Sequence, residues 1–388
     1  MSFFNGVMDH SKVKLSILNA YTIPWMRKIV LNRYGPKRCL VIDGFSGKGK
    51  YEDGSDGSPL ILIKNALDFY NQSEDSGWDP PNIYIFLNEL DQENHGELIQ
   101  NITDLGFRSE DNMLFAHEDY ETIIVKLENK SFEDFMVDLL KEIGEGESLI
   151  PSFCFVDPFG FSSTPFSLFV DYLQNENSEL LLNFIYEETN RFITHPNETI
   201  RNQIKGHMGL VTIDELISKV SGKTPVERKK AIIETYTNNL MQQCEAEFVR
   251  NFEIKKSGRT KLILFHVTKN KHGLALMKNC MWKHDETGTY TFDDRSNLQQ
   301  LDFEEILNSE KEHHIELLAR QIFGEFQGRR RISIESIEDF VITETIYPLT
   351  NFCKPALKEL ERDGRINNFR GRRRVNSYPA GTIMDFIF

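Results

Sequence analysis

The sequence predicts an α/β chain: a mostly parallel sheet with helices on both faces, a helical insertion, and a small C-terminal unit ending in a hairpin. Three observations predict it. From residue 38 onward, short apolar runs of strand length alternate with stretches of helical spacing. Two of those runs stop at polar turns, Asp43-Gly44-Phe45-Ser46-Gly47-Lys48-Gly49 and Asp157-Pro158-Phe159-Gly160. Beyond residue 328 helical spacing resumes and gives way to an arginine-rich turn.

Composition bounds the answer. A chain of 388 residues with 40% hydrophobic and 27% charged residues can bury a large core, and its length favours two domains. The net charge of −14 means that any contact with nucleic acid must use a local basic patch. No apolar run is long enough to span a membrane, and no signal-peptide core is visible, which predicts a cytoplasmic protein. The cysteines at 39, 154, 244, 280 and 353 form no CxxC pair and the histidines no HxxxH pair, so neither a metal site nor a disulfide is expected.

Residues 11–33 space their apolar positions as an amphipathic helix, with Pro24 expected to bend or divide it and Lys14 or Tyr21 as candidates to hold substrate. A buried strand over 38–43 then opens into the glycine loop. Gly44, Gly47 and Gly49 let the backbone turn sharply and approach a ligand. Asp43 suits a cationic or hydroxyl-bearing ligand better than a phosphate, and Lys48-Gly49-Lys50 has the wrong order for a P-loop. The loop therefore reads as a cradle for S-adenosylmethionine (SAM), with Phe45 part of it. Ser58-Pro59 starts the next helix, and strand 83–87 ends at Glu89, whose carboxylate suits a ribose; Asp91 is the alternate. A strand over 113–116 leads to Asp119, expected to receive an adenine amino group, and 120–146 reads as helix.

Strand 153–156 runs into the second turn. Asp157 and the Pro158 carbonyl can accept from an exocyclic amine, and Phe159 or Phe161 can stack on a base. Strand 180–186 is followed by a largely helical insertion over 187–246, a hairpin around Ser257-Gly258-Arg259, and a helix over 272–283 that closes the unit. This is the layout of a Rossmann-like class I methyltransferase sheet over residues 1–284. A loop over 285–310 begins a connecting segment, 285–328, and the pattern of 329–388 reads as helix, turn, helix and a basic-tipped hairpin, a winged helix. Arg365, Arg370, Arg372, Arg373 and Arg374 stand in that tip with no acid among them, a pattern suited to phosphate and groove contact, and Arg329-Arg330-Arg331 adds a second cluster.

Over nearly its whole length the chain resembles the three-Cys-motif partner protein family (TcmP). The resemblance rests on the Lys14-Leu15-Ser16-Ile17-Leu18 helix with Tyr21 and Trp25, the Ile42–Gly49 loop with Gly57-Ser58-Pro59, Val156-Asp157-Pro158-Phe159-Gly160, and Ala356-Leu357 with Leu360 and Gly364. It implies a class I methyltransferase-like protein paired with a three-cysteine-motif partner of radical-SAM type. The loop also resembles that of bacterial ribosomal-RNA adenine N6-methyltransferases. One departure matters: amino-group methyltransferases carry Asp/Asn-Pro-Pro-aromatic, whereas Phe159 and Gly160 fill the last two positions here. The expected function is SAM-dependent methylation of a nucleic-acid base amino group. The alternative is a non-catalytic nucleic-acid-binding or adaptor subunit on the same scaffold.

Overall fold

Residues 10–32, 35–110, 113–142, 148–285, 290–293 and 303–387 are described by the computed structural model. Its contacts divide the chain into Met1–Asn270 and Lys271–Phe388. In the first unit the chain runs through α1 (His10–Val30), β1 (Arg38–Asp43), α2 (Ser58–Asp75), β2 (Asn82–Asn88), α3 (Gln92–Asp104), β3 (Arg108–Ser109), β4 (Leu114–Ala116) and β5 (Ile123–Glu128). It continues through α4 (Phe132–Lys141), β6 (Ser152–Val156), α5 (Phe166–Leu173), β7 (Ser178–Phe184), helices α6 (Tyr186–Phe192), α7 (Glu198–Met208), α8 (Ile213–Val220) and α9 (Pro225–Gln243), then β8 (Phe248–Lys256) and β9 (Arg259–Thr268).

These strands form one sheet in the order β8-β9-β7-β6-β1-β2-β5-β4-β3. β7, β6, β1, β2 and β5 are parallel, and β9 enters antiparallel beside β7. Strand β1 is buried at every residue after Arg38, as its unbroken apolar run requires of a parallel strand covered on both faces. Leu40, Ile42, Cys154, Val156, Leu180, Leu182 and Phe184 point to one face, where α4, α5 and the insertion cover them. Tyr21 and Trp25 of α1 cover Phe153 on the other, at ring distances of 5.1 and 5.8 Å. The hairpin between β8 and β9 turns at Ser257 and Gly258, both at positive φ (51° and 75°), as a tight two-residue turn demands.

Two expectations need correction here. Residues 120–146 are not one helix: 123–128 form β5, paired parallel with β2, and only Phe132–Lys141 is helical. Ile123, Val125 and Leu127 are buried while Ile124, Lys126 and Glu128 are half-exposed, a period of two that helix-favouring Lys, Leu and Glu disguise in the sequence. The short strand 114–116 instead pairs antiparallel outside β5. Helix α1 is also continuous through Pro24. The Tyr21 hydroxyl and Trp25 Nε1 both donate to the buried carboxylate of Glu179, anchoring the helix on either side of the proline.

The second unit contains α10 (Lys271–Trp282), β10 (Thr291–Asp293), α11 (Phe303–Phe326), β11 (Ile332–Ser333), α12 (Ile334–Glu344), α13 (Cys353–Arg362), β12 (Ile366–Arg370) and β13 (Ile383–Phe386). Helix α10, which sequence spacing assigns to the first unit, groups with the second. There the buried Lys278 donates to the carbonyls of Val341, Ile342 and Thr345 at 2.8, 3.0 and 2.9 Å, satisfying the end of α12. Of the expected loop 285–310, residues 286–289 and 294–302 lie outside the described residues. β11, β13 and β12 make a three-stranded antiparallel sheet, packed with α11, α12 and α13 around Ile337, Val341, Leu357, Leu360 and Met384.

In the first unit, α7 delivers His207 into the core, 1% exposed. Its ring packs against Phe184 (5.2 Å, 16°) and Tyr236 (5.8 Å, 22°), which also meet each other at 4.7 Å, with Nδ1 2.9 Å from Thr164 Oγ1. Burial pushes its pKa down to about 4. An unfolded histidine binds its proton near pH 6.5, so between about 6.5 and 4 the unfolded chain holds more protons and stability falls as the pH falls. This group is expected to remove up to about 3 kcal/mol across that window. Urea unfolding at pH 7 and pH 4.5 checks it: the loss should be smaller in His207→Phe than in the wild type.

Candidate active site

The chain leaves β1 toward β2 and β5 on one side and returns to β6 and β7 on the other. The carboxyl ends of β1 and β6 therefore flank a topological switch point, the place where open α/β sheets bind ligands. Both polar turns singled out in the sequence open there, and Gly44 N–H donates to Phe155 O at 3.0 Å across the gap.

Asp43 is fully buried at the end of β1. Its Oδ1 accepts from Phe45 N–H at 3.2 Å, while Oδ2 has no hydrogen-bond partner among the described residues. Burial is the main force raising its pKa to about 7; the Ser58 side chain, near enough to favour the charged form although it closes no hydrogen bond of normal geometry, and the Phe45 amide oppose the rise, and the charges of Asp157 and Glu89 add to it. Gly47 sits at φ +61° with open space where a Cβ would stand, and Gly49 at φ +91°. At Gly44 a Cβ would lie 2.5 Å from the Phe132 ring, which stacks on Phe45 at 4.9 Å.

Glu89 is 6% exposed at the tip of β2. Its Oε2 accepts from Gly47 N–H at 2.7 Å and its Oε1 from Asp91 N–H at 2.8 Å, so each oxygen keeps a lone pair for a hydroxyl. Asp91, the alternate, caps α3 through the amides of Glu93 and Asn94. A cavity of about 460 Å³ opens beside these groups, lined in part by Gly44, Phe45, Glu89, Leu90, Phe132 and Phe159. Leu90 and Phe159 stand 66% and 86% exposed at its wall. Apolar side chains without protein partners suit a flat aromatic ligand.

Asp157 is engaged on both oxygens. Lys14 of α1 is ion-paired with Oδ2, and Asn183 Nδ2 donates to Oδ1 at 2.6 Å. Pro158 is buried beside it. Phe161 belongs to the core, facing Phe192 and His207 at 6.1 and 6.4 Å.

Asp119 is not part of this group. It stands just before β5, at the amino end of a parallel strand, with its side chain 86% exposed, so it faces away from the switch point. Reading 120–146 as helix causes the misplacement. It also hides the true carboxyl end of the third parallel strand, where Asn129, Ser131 and Phe132 lie. Asn183 is a site residue that the sequence reading does not single out, although a lone polar residue near the end of the apolar run Leu180–Phe184 is its signal.

In the second unit Arg365, Arg370, Arg373 and Arg374 are exposed, with Arg365 5.0 Å over the Phe323 ring. Arg372 is committed elsewhere. It makes a two-pronged pair with Glu361 (2.6 and 2.7 Å), lies 3.4 Å over Phe369, and shares Glu361 with the Tyr378 hydroxyl. That arrangement ties the hairpin to α13, so Arg372 braces the basic tip and does not present a free charge.

No group of His, Cys, Asp and Glu among the described residues could hold a metal ion, and no described helix is long and apolar enough to cross a membrane. No protein-family model and no curated protein matches the sequence. Among solved structures the fold is similar to Trm1 from Pyrococcus horikoshii in complex with S-adenosyl-L-methionine, at 13% identity over 70% of this chain and 59% of that one, with a TM-score of 0.33. It is also similar to the METTL16 methyltransferase domain (14%, 64% and 66%, TM-score 0.31) and to the human methyltransferase 10 domain containing protein (14%, 65% and 82%, TM-score 0.29). The chain spans less than two thirds of the length of each of the first two.

Proposed function

We propose that the first unit binds SAM and transfers its methyl group to an amino group of a nucleic-acid base. The observation that carries the reading is Asp43 Oδ2, a buried acceptor without a partner at the switch point, which an ammonium group would complete. SAM brings such an ammonium, two ribose hydroxyls for Glu89 and a purine for the slot between Phe132, Leu90 and Phe159. Three carboxylates (Asp43, Glu89 and Asp157) make the same crevice hostile to phosphate. When bound, SAM supplies an electrophilic methyl group. The chain's part is to hold the amine in line with it and stabilise the positive charge that develops on nitrogen.

The second unit, in this reading, is a winged helix whose tip arginines hold the nucleic-acid backbone, and a duplex target would have its base extruded. The likeness to the three-Cys-motif partner family supports a radical-SAM-type protein as a further partner. The Lys14 and Asn183 contacts that hold Asp157 favour one other reading, a non-catalytic nucleic-acid-binding or adaptor subunit on the same scaffold.

Calorimetric titration with SAM, followed by transfer of labelled methyl from SAM to bulk RNA and DNA, tests the reading. Micromolar binding and incorporation are expected. Binding without incorporation supports the non-catalytic reading, and a folded protein that does not bind SAM removes the methyltransferase and leaves the scaffold. Because an ammonium pairs with ionised Asp43, affinity is expected to fall about tenfold per pH unit below pH 7 and to level off above it. Asp43→Asn should abolish that dependence and most of the affinity.

Asp43 also makes the free protein sensitive to pH in the opposite sense to His207. Its folded pKa lies above its unfolded value, so the folded chain holds the extra proton and stability falls as pH rises from about 4 to 7. The fall is expected to reach up to about 4 kcal/mol across that window. Denaturation of Asp43→Asn at pH 5 and pH 8 should show it removed.

For the second unit, Arg373→Ala with Arg374→Ala should weaken binding to a duplex and lower the slope of log affinity against log salt by about 2. Arg372→Ala should instead lower the melting temperature.

A further inference from the structure

The parallel register pairs Asp43 with Phe155 and Val156 with Leu182. With side chains alternating along each strand, Asp43, Asp157 and Asn183 fall on the same face of three adjacent strands, β1, β6 and β7. Asn183 is 4% exposed, and its amide orientation is fixed, because Nδ2–H is given to Asp157 Oδ1 at 2.6 Å. The other end of the amide, Oδ1, therefore faces away from the carboxylate, and it is buried without a partner among the described residues. Asp157 is in the reverse position: Lys14 holds Oδ2 and Asn183 holds Oδ1. A carboxylate already held once on each oxygen and an amide oxygen with no partner among the described residues thus stand side by side at the end of the sheet.

Resting on the methyltransferase reading above, we propose that Asn183 Oδ1 receives a hydrogen of the target amine, with Asp157 and Lys14 as positioning residues. The target is an exocyclic amine of adenine or cytosine. A buried acceptor left empty is costly, and native structures keep few of them, so a donor arriving with the substrate accounts for its retention. Asp157 polarises the amide through the Nδ2–H bond, which strengthens Oδ1 as an acceptor. Lys14 fixes the carboxylate in that role. In the transfer the amine lone pair forms the N–CH3 bond as the S–CH3 bond breaks and its electron pair stays on sulfur. The sulfonium becomes a neutral thioether, and the extra proton on nitrogen leaves to water. Asn183 takes no proton; it holds the N–H while positive charge grows on the nitrogen.

Asn183→Leu and Asn183→Ser test this, with SAM binding as the control for an intact crevice. Both should bind SAM within about threefold of wild type and lose about 100-fold or more in kcat for methyl transfer to bulk RNA or DNA. Lys14→Arg should recover activity that Lys14→Met loses. A readout independent of turnover uses protein labelled with 15N at asparagine. The side-chain amide resonance that disappears in Asn183→Ser should shift when adenosine or cytidine is added with S-adenosylhomocysteine. If wild type transfers methyl and both Asn183 variants do so within threefold of it, or the resonance does not move, the assignment to Asn183 is wrong while the methyltransferase reading stands. If wild type binds no SAM or transfers no methyl to either nucleic acid, that reading fails and takes the assignment with it.

Discussion

The carboxyl edge of a parallel sheet leaves backbone groups without strand partners, and the way they are satisfied here determines the crevice. Asn88, the last residue of β2, donates through Nδ2 to the carbonyls of Gly44 and Lys130 at 3.3 and 3.1 Å. Its Oδ1 accepts from Lys130 N–H at 3.2 Å, and its backbone carbonyl from Ser46 N–H at 2.9 Å. One buried amide therefore joins the ends of β1, β2 and β5. Glu89 continues the work by holding Gly47 and the start of α3. The glycine loop is shaped by hydrogen bonds to its neighbours before any ligand arrives, which is the preorganisation a small-molecule site needs.

The same edge gathers charge of one sign. Asp43, Glu89 and Asp157 converge there, and Lys14 is the cation that answers Asp157. Helix α1 is positioned for this by the Tyr21 and Trp25 bonds to Glu179, near the other end of β7, so the N-terminal helix is part of the site and not only a cover for the sheet. Its contribution is electrostatic as well as structural. Without Lys14, Asp157 would face Asp43 and Glu89 unpaired, and the site would have to hold a third uncompensated carboxylate.

Much of this is legible in the sequence because parallel strands buried on both faces leave unbroken apolar runs. The runs at 38–43, 153–156 and 180–186 each mark a strand of the sheet, and the turns after the first two mark its carboxyl edge. β5 is not legible in the same way. Its inner face is apolar and its outer face carries Lys126 and Glu128, which form ion pairs with each other and with Glu142 and Lys130. Those residues favour a helix locally, and tertiary pairing with β2 overrides them. Losing that strand moves every assignment that depends on where it ends, which is why Asp119 falls on the wrong edge.

Arginine illustrates the other limit. Five arginines in the C-terminal tip look equivalent in sequence, yet Glu361, eleven positions before Arg372, and Tyr378, six after it, select one of them for a half-buried pair. No spacing rule identifies such a partner, because the hairpin must close before the two charges meet. The selection has a consequence for mobility. A basic turn free to move samples many conformations, and a hairpin braced by the Arg372–Glu361 pair and the Phe369 ring gives up part of that freedom within the fold. Neutralising one arginine inside the fold gives the remaining exposed ones a fixed frame.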